Sequence, residues 1–216
     1  MLSKSDKAVK IREGQSLKTD SLETYIRNAM ELPKAHIEVL QFPSGYSNLT
    51  YLLKFGKKEL VLRKPPQGVK IKSGHDMGRE FRILSGLHPL YNRVPQPFLF
   101  SDKLSIIGTP FYIMERMHGV IFRGHTPKDQ LPDLNQMRKL SEAFVSTLVE
   151  IHSFNYHAAG LENLGRPDGY VKRQIEGWTK RYIKAKTDEF KPLEKVHMWL
   201  NKNIPPEKRS ALIHND

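Results

Sequence analysis

The spacing of apolar residues differs between the first half of this chain and its last hundred residues, and that difference limits how the chain can fold. Between residues 36 and 63 the spacing is two. Ile37, Val39 and Gln41 alternate with Glu38 and Leu40, and Tyr51, Leu53 and Phe55 alternate with Leu52 and Lys54. Gly56-Lys57-Lys58 supplies a turn, and Glu59-Leu60-Val61-Leu62-Arg63 is a third apolar stretch, closed by Pro65-Pro66. Alternation of this kind marks strands, so an antiparallel meander of three strands is expected. After Gly119 the spacing becomes helical. Met137, Leu140, Phe144, Leu148 and Ile151 make one stripe, and Val171, Ile175, Trp178 and Tyr182 a second, both expected to pack in a core. A sheet followed by a helical region is an α+β plan with two lobes.

Shorter elements fill in this plan. Residues 20–32 read as a helix capped by Asp20, with Glu23 at the reciprocal position, and ended by Pro33. Residues 76–87 read as a second helix, residues 97–101 and 111–115 as two more strands, and residues 190–202 as a late helix. Ala211-Leu212-Ile213 reads as a short strand. Residues 1–19 are expected to be a flexible N-terminal tail. The change of architecture falls at residues 114–119, which are expected to act as a hinge.

Composition narrows the function. Lys and Arg total 35 against 23 Asp and Glu, a formal charge of +12. That excess favours anionic partners, unless it is simply a solvated basic surface. The basic runs are only pairs, such as Lys57-Lys58, and the aromatic residues fall on core-like stripes. Both points argue against nucleic acid as the partner. The chain has no cysteine, which excludes disulfides, thiolate zinc sites and cysteine nucleophiles. No stretch has the length of a membrane span or the apolar core of a secretory signal, so no membrane partner and a cytoplasmic location are expected.

Three places carry residues suited to chemistry. Ser44, Gly45, Ser47 and Asn48 lie in the loop joining the first two strands, where backbone N–H groups of a hairpin can cover phosphates. The same composition suits any hairpin. Glu80 lies in the apolar stripe of its helix with Met77, Leu84 and Leu87. A carboxylate among apolar residues needs a cation, and Arg63 on the preceding strand is the natural one. Kinases hold a strand cation with a helix carboxylate to place positive charge on ATP phosphates, although a purely structural ion pair has the same pattern. Third, His214-Asn215-Asp216 follows an apolar pair, the form of a kinase catalytic loop in which the aspartate accepts a hydroxyl proton. A lone His-x-Asp also arises by chance.

Other groupings point to packing or solvation. The nine histidines include no His-Glu-x-x-His helix, and no metal site is expected from them. Trp178 and Trp199 fall on helical stripes, which favours core packing. Lys172, Arg173, Lys180, Arg181, Lys184 and Lys186 crowd one helix, facing solvent or an anionic acceptor.

Taken in order, these stretches resemble the aminoglycoside phosphotransferase and choline-kinase-like family, in the branch fused to acyl-CoA dehydrogenases in longer proteins. The resemblance rests on residues 42–53, Leu60-Val61-Leu62-Arg63-Lys64-Pro65-Pro66, Gly78-Arg79-Glu80-Phe81, Phe111-Tyr112-Ile113-Met114-Glu115, residues 148–152 and residues 212–216. It implies a protein-kinase-like fold, with a nucleotide-binding N-lobe at residues 20–113 and a partial helical C-lobe at residues 120–216. It also implies ATP and Mg2+ as cofactors and a small-molecule hydroxyl as acceptor, such as a hydroxyacyl thioester. Ser44, Gly45, Ser47 and Asn48 would cover phosphates, Arg63 would replace the usual strand lysine, and Glu80 would orient it. Glu115 and Met117 would present backbone groups to adenine, with Met114 lining the pocket and Asp216 as catalytic base. The family's metal-binding residues would follow Asp216. The chain is therefore expected to be C-terminally incomplete, inactive alone, or a nucleotide-binding remnant without catalysis.

Overall fold

A computed structural model describes residues 7–43, 48–66, 76–122, 126–128 and 131–213. The chain forms two compact units, residues 1–140 and 141–216.

The first unit is built on a five-stranded antiparallel sheet of order β1-β2-β3-β5-β4. Its strands are β1 (Ile37–Gln41), β2 (Leu49–Phe55), β3 (Lys58–Lys64), β4 (Pro97–Ser101) and β5 (Phe111–Glu115). The expected meander is its first three strands. Gly56 and Lys57 make a two-residue turn between β2 and β3, and Gly56 has φ 62°, the positive value such hairpins require. Helices α1 (Thr19–Ala29), α2 (Met77–Leu87) and α3 (Leu104–Ile107) complete the unit.

The pleat divides each strand between two faces. Tyr51, Leu53, Phe55, Leu60, Leu62, Phe111 and Ile113 share the core face, where Leu22 and Ile26 of α1 and Ile106 and Ile107 of α3 pack. The opposite face carries Thr50, Arg63 and Tyr112 in one cross-strand row and Leu52, Val61 and Met114 in the next. Helix α2 lies against β4 and β5. Phe81 of α2 stacks on Phe100 at 5.8 Å and is tilted against Tyr112 at 6.4 Å. Gly78 permits this approach, because a Cβ there would lie 3.2 Å from the Phe100 ring.

Two expectations fail in this unit. Residues 7–17 are not a loose tail. Val9 and Gln41 exchange two backbone hydrogen bonds of 2.8 Å. The Gln41 amide accepts from the Arg12 N–H and donates to Gln15 Oε1, while Tyr51 Oη donates to the Gln15 carbonyl at 2.8 Å. Gln41 and Tyr51 are both buried and need polar partners, and this segment supplies them. Burial pushes the Tyr51 phenol up to about 12, against the pull of Arg12. In α1, Lys18 occupies the cap position with no side-chain cap, and Asp20 falls inside the first turn. Glu23 accepts instead from Arg27 at 2.8 Å and from the Ile37 N–H, tying α1 to the start of β1.

The boundary between the units falls within α4 (Leu134–His152). The second unit continues with a 3-10 turn (Glu162–Leu164), α5 (Tyr170–Ala185) and α6 (Lys191–Lys202). Glu207 accepts from the Gly169 and Val171 N–H groups at the start of α5. The helical periods are as expected, but the core packing is not. Met137, Leu140, Phe144, Trp178 and Trp199 are exposed. Residues 211–213 form no strand.

Candidate functional site: an arginine-glutamate pair on the sheet

Arg63 and Glu80 come together as expected. Arg63 sits near the end of β3, two residues from Val61 and on the same face. Glu80 is the fourth residue of α2, which is capped by the Asp76 carboxylate accepting the Arg79 N–H at 2.8 Å. Met77 and Leu87 bury the helix at both ends. Arg63 Nε lies 3.1 Å from Glu80 Oε2 as an ion pair, with the arginine side chain 35% exposed. The buried Nε thus faces the carboxylate, and exposure of the side chain leaves it reachable by an anion.

Beside this ion pair, the carboxylate accepts two hydrogen bonds. Asn48 Nδ2 donates to Oε1 at 3.0 Å, and Tyr112 Oη donates to Oε2 at 2.9 Å. Glu80 therefore joins β3, β5 and the residue just before β2 through one contact each. Burial, and then the adjacent Glu80 carboxylate, hold the Tyr112 phenol far above its ordinary value. It stays protonated, and a donor, at neutral pH. Sequence reasoning missed Tyr112. The signal is its register opposite Arg63, visible only once β3 and β5 are paired.

Asn48 is read from sequence as a phosphate-covering residue, but here its amide engages Glu80. Ser44, Gly45, Ser47 and Asp216 lie outside the described residues. Met114 is half-buried, in the row next to that of Arg63, and Met117 is exposed, beyond the end of β5. The Glu115 N–H is committed to the Gln96 carbonyl at 2.8 Å, and its carboxylate accepts the Gln96 N–H at 3.1 Å. Among the described residues no group of three His, Asp or Glu is placed to hold a metal ion. An open groove of about 490 Å³ between α1 and α3, lined by Asp20, Asn28 and Lys103, includes none of the residues around Glu80.

Lys64, next to Arg63, points to the core face and is buried. Burial holds its ammonium below the ordinary value of 10.5. Between that lowered value and 10.5 the unfolded chain keeps a proton that the folded chain has released, so stability rises with pH across the window. Lys64→Met is expected to remove this rise and to stabilise the protein at neutral pH by on the order of 1 kcal/mol. Urea melts of both proteins at pH 7 and near pH 10 check it.

A five-stranded antiparallel sheet with helices, followed by a helical region, is the fold of the kinase-like phosphotransferases. The chain belongs to the phosphotransferase enzyme family, whose pattern matches residues 38–216. It is 34% identical over 209 residues to mouse (Mus musculus) acyl-CoA dehydrogenase family member 10, covering 95% of this chain and 19% of that protein. It is 35% identical over 203 residues to human (Homo sapiens) acyl-CoA dehydrogenase family member 11, covering 91% of this chain and 26% of that protein. A solved structure from Ralstonia eutropha, assigned to the aminoglycoside phosphotransferases, matches with a TM-score of 0.72 and 28% identity, over 89% of this chain and 55% of that one. The chain thus spans about a quarter or less of the length of these curated relatives.

Proposed function

We propose that the chain is the nucleotide-binding part of an ATP-dependent small-molecule kinase. The observation that carries this reading is the Arg63–Glu80 pair, 3.1 Å apart on the face of the sheet opposite the core. Arg63 holds phosphate oxygens of ATP, since a guanidinium stays charged and can grip two oxygens at once. Glu80 keeps the guanidinium from folding away. Residues 114–119 serve as the hinge, where the Glu115 carbonyl and the Met117 N–H meet adenine beside Met114. Ser44, Gly45 and Ser47 cover the phosphates. In the transfer step the acceptor hydroxyl gives its proton to Asp216, its oxygen bonds to the γ-phosphorus, and the bond to ADP breaks. Magnesium carried with ATP would supply positive charge to the phosphates during transfer; among the described residues no group of three His, Asp or Glu is placed to hold it.

The acceptor is a hydroxyl of a small molecule. The names of the acyl-CoA dehydrogenase relatives make a hydroxyacyl thioester the acceptor to assay first. Among the described residues no helix is long and apolar enough to cross a membrane, which is in keeping with a cytoplasmic location.

Calorimetric titration with ATP tests the reading. Arg63→Ala should weaken binding about 10- to 100-fold, the range expected for losing a charge-assisted contact. Lys64→Met, on the opposite face, should bind as the parent does. Equal losses in the two variants would refute the assignment.

A further inference from the structure

We infer that Tyr112 and Asn48 are positioning residues that act on Arg63 through Glu80. The inference rests on the nucleotide reading above and deepens it, because neither residue needs to touch the ligand. Glu80 Oε2 is shared between the Tyr112 hydroxyl at 2.9 Å and Arg63 Nε at 3.1 Å, and Oε1 is taken by Asn48 at 3.0 Å. A carboxylate on a helix has a free final torsion and would otherwise swing between rotamers. Two donors, one from β5 and one from the residue just before β2, each on its own oxygen, fix the plane of the carboxylate. Tyr112 and Asn48 are 2% and 4% exposed, so both donors are held rigidly while the arginine they serve remains open. The plane of the carboxylate then sets where the guanidinium points.

The placement of Asn48 adds a coupling. It directly precedes β2 and is hydrogen-bonded to α2, so the start of β2 and the glutamate of α2 share one contact. Tyr112 performs the same task from β5, three residues before Glu115, and links the strand that leads to residues 114–119 to the same carboxylate.

The test uses the full chain and two independent readouts. The first is the 15Nε–1H resonance of Arg63 without nucleotide, assigned by its disappearance in Arg63→Lys. The second is ATP affinity by calorimetry. Tyr112→Phe removes only the hydroxyl, and Asn48→Ala serves as the second variant should the first fail to fold. Each is expected to shift the Arg63 resonance and to weaken ATP binding about five- to tenfold, the size of one ordinary hydrogen bond and less than the direct loss in Arg63→Ala. In a Glu80→Gln background, Tyr112→Phe should weaken binding by less than twofold, because residues acting through one carboxylate are not additive. An unmoved Arg63 resonance, with affinity unchanged in the folded variants, would overturn the inference. Additive losses in the double variant would do the same. Failure of the nucleotide reading shows differently: the resonance shifts in Tyr112→Phe, while Arg63→Ala leaves ATP binding as it was.

Discussion

Glu80→Ala should cost the first unit about 2–4 kcal/mol and lower ATP affinity at least tenfold. The estimate comes from what is left behind. The Tyr112 hydroxyl and the Asn48 amide are both buried and both donate to this carboxylate. A buried donor without its acceptor costs about 1–3 kcal/mol. The Arg63 contact adds little to stability, because the arginine is 35% exposed and water screens it. Its loss falls instead on binding, since an unrestrained guanidinium must be ordered again by each ligand. A loss of that size corresponds to a fall in Tm on the order of 10 °C. Thermal melts followed by near-UV dichroism, together with calorimetry, measure the two parts separately. A variant that melts with the parent would mean that the two donors are interchangeable with solvent.

Hydrogen exchange should divide the chain sharply at the unit boundary. Amides of β2, β3 and β5 should be protected at least 100-fold more than those of α5 and α6, a gap of about 3 kcal/mol in opening free energy. In the first unit, Tyr51, Phe55, Leu53, Leu60, Leu62 and Phe111 are fully buried between sheet and helices. In the second, Leu161 is the one buried residue among those described. Helical stability in proteins comes mainly from packing of an apolar face, so helices with that face in water are marginal. Phe144, Trp178 and Trp199 are each more than 60% exposed, which leaves α4, α5 and α6 little to lock them. Mass-spectrometric exchange at neutral pH gives the comparison directly. Equal protection across the two units would show that α5 and α6 are held by packing not apparent from their exposure.

The sequence revealed those parts of the fold that depend on neighbours in sequence. Strands β4 and β5 begin and end where alternation and breakers put them, and α2 follows from the stripe through Met77, Glu80 and Leu87. The Arg63–Glu80 pair was legible for the same reason: a carboxylate in an apolar stripe asks for a cation, and the preceding strand offers one. What was not legible depends on partners far along the chain. Tyr112 meets Glu80 across 32 residues, and Gln15 meets Tyr51 across 36. Nothing local marks either contact. Helix α3 has only four residues, too few for any period to register. The stripes of α4 and α5 were correct as periods but wrong as a core, because period tells which residues share a face and not what lies against it.

The hydrogen bonds between Val9 and Gln41 bear on how the protein keeps to itself. Strand β1 is an outer strand of the sheet, and Val9 occupies the N–H and C=O of Gln41 on its free side. On the far side, β4 opens with Pro97, which has no N–H to offer a newcomer. Unpaired strand edges are templates on which another chain can add a strand. The segment before α1 therefore closes the Gln41 end of one border of the sheet, and a proline guards the start of the other. A form beginning after Leu17 would open that end of β1, and its characteristic failure would be self-association through that border rather than simple unfolding.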